Sequence, residues 1–519
     1  MREKQIRFAC KVTFFLLVAS FATPRAFASS PAEGGAETPQ VGNPDRIILE
    51  RFPHLRDHSR VANRCVTCHG RQFQDVSASI HGKAGLLKNL PDGSLCLTCH
   101  EVNHFVQDPA KIQNYQLDPM RTIPKDVACM RCHGDAVLAN AFHFPQHVPT
   151  EFEKSIHYRK AILGDKKAPL CFDCHGAHSI LRVEDPRSPV HGAQRVKVCA
   201  KCHTGANETF ASTFDHTPIR PDTKPLEYWV ITLFKILTLG TFMALGLYLL
   251  LEVLTTIREK LLSPKTQKTQ KTPNTNETPG PVAARPERTG LEPDDYVERM
   301  PFQLRLQHFL MLASVITCVV TGWPLLSPET SVSQSLIQFL GGARSVAMIH
   351  RTAGFIMIGD FLYHLVYLYL QFRVGGRLHP MTPVPRDVRD LAAMIFYFFG
   401  LRPKKPELDQ FAFYEKFDYW AVFWGVAMMG GSGLVLTFPT LTAHVLPGVS
   451  IRLAAIIHSD EALLAATVLF IWHFYNVHLK PGIFPMNWAW LTGRMRKDLY
   501  EHEHSEHVKK LRRDGKWRE

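Results

Sequence analysis

The sequence predicts a mainly α-helical protein in two unlike parts, a loop-rich exported region followed by a helical membrane bundle. Three observations predict this. Residues 223–480 contain five apolar runs of about 20 residues, each long enough to cross a hydrocarbon core about 30 Å thick. Residues 30–222 are polar, rich in Cys and His, and weak in apolar periodicity. A leader of secretory type stands in front of them. The 519 residues leave room for three or four units. The net charge is +13, but the excess Lys and Arg flank the apolar runs. That reads as membrane topology and not as nucleic-acid binding.

Residues 1–28 have a basic start (Arg2, Lys4, Arg7, Lys11), an apolar run and Ala26-Phe27-Ala28, the pattern of a cleaved signal peptide. Residues 29–222 follow as the exported domain. Residues 223–256 are the first membrane helix, and 257–300 read as a flexible Lys-, Thr- and Pro-rich linker on the cytoplasmic side. Residues 301–480 hold four more spans, at about 304–326, 345–372, 419–438 and 453–477. The amphipathic stretch 387–400 is expected along the interface. Residues 481–519 form a basic cytoplasmic tail with ten Lys or Arg in 478–519, whereas the loops 327–344 and 439–452 have one Arg each. Positive charge on the cytoplasmic side puts the exported domain in the periplasm and the bundle in the inner membrane.

The exported domain contains five motifs: Cys65-Val-Thr-Cys68-His69, Cys96-Leu-Thr-Cys99-His100, Cys129-Met-Arg-Cys132-His133, Cys171-Phe-Asp-Cys174-His175 and Cys199-Ala-Lys-Cys202-His203. Two thiols and an adjacent imidazole on one short turn are what covalent c-type haem needs. Zinc also uses paired cysteines, but it does not require His directly after the second Cys in all five pairs. Ten of the 12 cysteines are used this way; Cys10 and Cys318 remain, so no disulfide framework exists. A domain with so little apolar periodicity cannot build an ordinary core, and five haems would supply it. The predicted fold class is therefore a haem-packed, loop-rich pentahaem domain followed by a helical membrane bundle.

Each c-haem iron also needs a sixth ligand. His81, His157 and His191 lie in a loose repeat (Ser79-Ile80-His81-Gly82, Ser155-Ile156-His157, Pro189-Val190-His191-Gly192), and His104 and His178 follow a motif closely. These five are the expected distal ligands; His147 and His216 rank behind them. Iron with two His ligands has no open position and suits electron transfer. Over roughly residues 60–205, the Ser-Ile-His-Gly and Cys-His-Gly-Ala-His elements resemble those of bacterial multihaem cytochromes c. The Lys-for-His motif of multihaem nitrite reductases is absent.

Ionisable groups inside a membrane are costly and mark function. Five histidines fall in the predicted spans: His308, His350, His364, His458 and His473. Topology makes His350 and His458 outer and the other three inner, enough for two haems with two His ligands each and one spare. His458 and His473 share one helix, 15 residues apart. That places them roughly 22 Å apart on one broad face.

Residues 301–495 resemble the cytochrome b subunit of formate dehydrogenases and nickel-iron hydrogenases. The resemblance rests on Arg305-Leu-Gln-His308, Thr321-Gly322-Trp323-Pro324, His350-Arg351-Thr-Ala-Gly354, Glu415-Lys416-Phe-Asp-Tyr-Trp420, His458 and His473. It implies two non-covalent b haems, the outer held by His350 and His458, the inner by His308 and His473. The spacing of His350 and His364 also resembles cytochrome b of quinol–cytochrome c reductases, which leaves His364–His473 open as the inner pair. Asp360 lies one turn before His364. These two are the candidate catalytic residues, carrying protons between the cytoplasm and a quinone site beside the inner haem.

The expected function is electron transfer between the quinone or menaquinone pool and a periplasmic cytochrome or other redox protein. The expected cofactors are two b haems and five c haems, with quinone as substrate and no further cofactor or nucleic acid. Fusion to many c haems favours quinol oxidation. The alternatives are a quinone-reducing anchor for dehydrogenase subunits and a multihaem reductase of a small molecule or metal ion.

Overall fold

The computed structural model describes residues 44–51, 66–67, 69–84, 95–100, 128–262, 295–376, 379–480 and 483–517. The leader, most of the linker, Cys65, Cys68 and His104 lie outside these residues. Among the described residues, five helices are long and apolar enough to cross a membrane. They are a first span, Pro225–Glu259, and then a second, Phe302–Leu326, a third, Ala343–Gly375, a fourth, Phe413–Thr437, and a fifth, Val449–Leu479. The chain is a multi-pass membrane protein. The first helix continues to Leu262, beyond the expected end at 256. Its 38 residues make about 57 Å of helix, more than a hydrocarbon core requires.

The second span packs along the third, the third along the fourth and the fourth along the fifth, which returns to touch the second. This closes a four-helix bundle, and the first span lies outside it against the fifth. Large apolar side chains such as Trp229, Ile236, Leu239, Phe309 and Ile316 point outward, toward lipid. Small ones (Ser314, Thr321, Ala353, Ser432, Ala454) are buried between helices. Lipid is as apolar as a Leu side chain, so close backbone approach holds membrane helices together better than bulky apolar contact does. The fifth span is α-helical to Thr467 and then widens into π-helical turns over Val468–His473 and Tyr475–Leu479. That widened part packs Val468, Ile471, Trp472 and Tyr475 against Leu245 and Leu249 of the first span and Leu408, Ala412 and Tyr414.

The amphipathic stretch becomes a separate helix, Pro385–Phe398, that does not span. Its Met394, Tyr397 and Phe398 pack on Tyr248, Leu251 and Phe413. The tail, expected to be basic, also carries folded structure. Arg494–Arg496 pairs antiparallel with Tyr296–Glu298, residues expected to belong to the linker. Ala489, Met495, Tyr500 and Val508 bury a small core beneath this sheet. Lys480 fastens it to the fifth span, donating to Glu503 Oε2 (2.5 Å) and to the Tyr414 hydroxyl (2.9 Å). Burial works to raise the Glu503 pKa, but Lys480 outweighs it and holds the carboxyl well below the usual range.

The described part of the motif region is built of short helices, and one apolar cluster there has three buried members, Phe152, Tyr158 and Leu170. It rests on one end of the bundle, the motif end; the other is the tail end. Asn207 donates to Ala443 O (3.2 Å), and Arg452 pairs with the buried Glu227 at the start of the first span (2.8 Å).

Candidate functional site

Four histidines come together as two pairs, each with one member on the fifth span. At the motif end, the ring centres of His350 and His458 are 6.2 Å apart. At the tail end, those of His308 and His473 are 6.3 Å apart. Two imidazoles on opposite sides of one metal, each nitrogen about 2 Å from it, put their ring centres about 6 Å apart. The spacing of both pairs fits one haem iron.

At the motif end the outward ring nitrogens are held by hydroxyls. Thr321 Oγ1 donates to Thr317 O (2.6 Å), so at 2.8 Å it accepts the proton of His350 Nδ1. Ser432 Oγ donates to Met428 O (2.7 Å) and accepts from His458 Nδ1 at 3.0 Å. Each arrangement leaves Nε2 bare, as a metal ligand must be. Glycine gives both rings their room. A Cβ on Gly322 would lie 3.4 Å from His350 Cε1, and one on Gly433 would lie 3.2 Å from His458 Cε1.

The tail end is held differently. His473 Nδ1 donates to Asp418 Oδ2 at 3.1 Å. The His308 ring is covered by Trp490 of the tail, 5.8 Å between centres. His308 and His473, the expected inner pair, are brought together with their rings tilted by 41°. His364 has both ring nitrogens engaged, donating from Nδ1 to Gln307 Oε1 (2.7 Å) and accepting at Nε2 from the Tyr419 hydroxyl (2.8 Å). No nitrogen of His364 is left for iron. Tyr419 also stacks on His379 in the loop beyond the third span, which extends this cluster toward the surface. Asp360 is 7% exposed, and its Oδ1 has no hydrogen-bond partner among the described residues. A buried carboxylate oxygen without a partner is costly and suits a group that exchanges protons.

The element Glu415-Lys416-Phe-Asp-Tyr-Trp420 explains itself in this geometry. Glu415 takes Arg299 (2.8 Å), and Lys416 takes Asp387 (3.0 Å). Asp418 orients His473, Tyr419 orients His364, and Trp420 donates to Met381 O (3.0 Å). One turn and a half of helix thus arranges the tail end of the bundle.

The motif region repeats the same ring spacing four times. His81 lies 6.3 Å from His133, His178 6.1 Å from His100, His157 6.3 Å from His203, and His216 6.3 Å from His175. In every pair one member belongs to a Cys-x-x-Cys-His motif. Burial pushes His133 and His157 down to about 4 and lowers His81, His175, His203 and His216. The shift favours the neutral imidazole, the form that binds metal. Ser79 and Ser155 each cap a short helix in which His81 and His157 are the second residues. The third member of the repeat departs from this. His191 is itself the residue capping Gly192–Ala200, and its Nδ1 donates to Val183 O (2.8 Å). It faces no motif histidine among the described residues, and His216 takes a place that was expected to go to one of the five preferred candidates. His69 caps Gly70–Ala78, but the cysteines of its motif lie outside the described residues.

The thiols of Cys96, Cys99, Cys129, Cys132, Cys171, Cys174, Cys199 and Cys202 are not in disulfides. Among the described residues, no group of three or more His, Cys, Asp or Glu side chains converges to hold a metal ion.

Residues 299–483 match the family model of prokaryotic cytochrome b561. The match covers both histidine pairs of the bundle. The C-terminal domain is thereby similar to membrane cytochrome b units, a family that binds b-type haem. No curated protein matches the chain. The cytochrome b561 match begins after the motif region, so His81, His157, His178 and His216 stand on geometry alone. Sequence reading missed Asp418, Tyr419 and Ser432 as partners of histidines. The signal for the first two was the polar Glu-Lys-x-Asp-Tyr cluster opening an apolar helix; for Ser432 it was the surrounding glycines.

Proposed function

We propose that this protein is a quinol dehydrogenase of the inner membrane. It would pass electrons from the quinone or menaquinone pool through two b haems and five periplasmic c haems to a soluble redox partner. The observation that carries this reading is the recurrence of one ring spacing, 6.1–6.3 Å, in two pairs of the bundle and four pairs of the motif region. Bound haem supplies a one-electron iron couple at each pair.

The chain's own residues do the rest. Thr321, Ser432 and Asp418 hold the imidazoles in the tautomer that leaves Nε2 to the iron. Asp360, His364, Gln307 and Tyr419 line the proposed quinol site at the tail end. Oxidation of one quinol releases two electrons and two protons. His364, already hydrogen-bonded on both nitrogens, takes a proton only by giving up one of those bonds. Asp360 is the acceptor with a free oxygen. Outward electron movement is opposed by about 2.3 kcal/mol per charge per 100 mV of membrane potential, so the periplasmic acceptor must be strongly oxidising.

The test is a c-to-b haem ratio with a quinol-reduction measurement on the same purified chain. Five to two, with both haem types reduced by menadiol, is the expected result. A chain without b haem, or b haem that menadiol leaves oxidised, sinks the reading.

A further inference from the structure

We infer that the fifth motif site, His203 with His157, is the junction between the membrane pairs and the other motif sites, and that the four described motif sites form one row in the order fifth, fourth, third, second. This rests on the reading of the histidine pairs as haem sites.

The fifth site is the one built into the contact with the bundle. Helix Ile156–Ile162, which carries His157, touches the second span. Leu163, directly after it, is buried with Ile337 and Val346 in one cluster, and Val346 lies one turn before His350. On the other side of the motif, Gly205 O accepts from His444 (3.2 Å), Ser212 O accepts from Arg452 (3.4 Å), and Thr209 O lies over Gly448. His458 follows Arg452 by six residues on the same helix. Elements carrying both motif-end ligands therefore touch elements carrying both fifth-site ligands.

A cavity of about 470 Å³ opens at this contact, with Lys160 and Lys167 on one wall and Arg344 and Arg351 on the other. Lys160 lies on the His157 helix and Arg351 directly follows His350. Asp165 is the one carboxylate in the lining. Four cations against one anion suit the carboxylate groups of haems approaching from both sides.

The row continues through named neighbours. Phe214 has its ring 5.4 Å from His157 and 5.4 Å from His216, the partner of His175 in the fourth motif. Cys129 of the third motif and Cys171 of the fourth pack on the same Phe152–Tyr158–Leu170 cluster. Helix Cys96–Cys99 of the second motif touches helix Ala128–His133 of the third. With haem held at each pair, one electron would cross each contact, one iron being oxidised from ferrous to ferric as its neighbour is reduced from ferric to ferrous. No bond forms and no proton moves. Quinol supplies the electrons, and a one-electron oxidant in the periplasm removes them.

The experiment uses the full chain in detergent, with menadiol as donor and rapid-mixing spectra that separate b from c haem. His157→Met makes the fifth site a high-potential trap, recognisable by the spectrum of a methionine-ligated haem. The b haems and the trap should reduce at the wild-type rate and the remaining c haems at least tenfold more slowly. His178→Met, at the far end of the row, should leave the other c haems at the wild-type rate. Gly448→Val touches no ligand, but its Cβ would lie 2.8 Å from Thr209 O. It should slow all c-haem reduction at least tenfold while haem content and b-haem reduction stay unchanged. Wild-type c-haem reduction in both His157→Met and Gly448→Val, or equal slowing by His157→Met and His178→Met, overturns the order. If menadiol fails to reduce the b haems of the wild-type chain, the underlying function is wrong and this inference falls with it.

Discussion

At the motif end of the bundle both histidines lean on hydroxyls, Thr321 and Ser432, whereas at the tail end His473 leans on the carboxylate of Asp418. The difference matters because a carboxylate pulls harder on the Nδ1 proton. The imidazole becomes a more basic ligand and favours the ferric over the ferrous state. On the proposed reading, the fifth span would present a lower-potential site where quinol arrives and a higher-potential site toward the motif region. Electrons entering at the tail end would then pass from the lower to the higher potential, as a quinol dehydrogenase requires. The two ends also differ in what covers them. The motif-end rings lie against helix glycines, while the tail end is roofed by Trp490 from the folded tail.

The sharpest break in this comparison comes from removing one haem at each end. His473→Ala should lose the tail-end haem, bring the c-to-b ratio to five to one, and lower menadiol-driven reduction roughly a hundredfold or more. His364→Ala should keep both b haems, and losing one would reinstate His364 as a ligand. Haem extraction and pyridine spectra decide between them. Gly433→Val should lose only the motif-end haem, because a side chain there meets the His458 ring. Menadiol would then still reduce the remaining b haem but no c haem.

A smaller effect tests the potential difference itself. Asp418→Asn should raise the tail-end midpoint by about 60 mV, a tenfold change in a one-electron equilibrium, and leave the motif-end midpoint unmoved. A redox titration that shows no shift, or equal shifts at both ends, removes the account given for the gradient. Ser432→Ala should do least. One hydrogen bond is worth about 1 kcal/mol, so the motif-end haem should be held roughly fivefold more weakly in a haem-transfer assay.

The spans were legible because about 20 consecutive apolar residues have one physical reading, and charge asymmetry orients them. The expected pairing of His458 with His350 rested on topology, which puts both at the outer end, and on the family resemblance. What was not legible depends on contacts distant in sequence. His216 stands in Asp215-His216-Thr217 with no motif around it, and only the fold brings it to His175, 41 residues away. His191 shares its neighbours with His81 and His157, yet it caps its helix where they follow a Ser cap. Composition alone could not separate these. The tail read as a charged tract because its sheet has only three residues per strand, too few for a period-2 signal. His364 was open to two roles until Gln307 and Tyr419 were seen to occupy both its nitrogens.

The seam formed by Asn207, Ser212 and Glu227 against Ala443, His444 and Arg452 joins parts of one polypeptide, tethered besides by the first span. A tether of this kind holds its partner at an effective concentration of about millimolar or above, whatever the dilution of the protein. Exchange across the seam needs no diffusional encounter, so it should be indifferent to protein concentration. Bulk salt should also affect it little, since charges packed in a contact are poorly screened. Exchange with a separate soluble carrier depends on both. Varying ionic strength in a single kinetic trace would therefore divide the traffic inside the chain from the traffic leaving it.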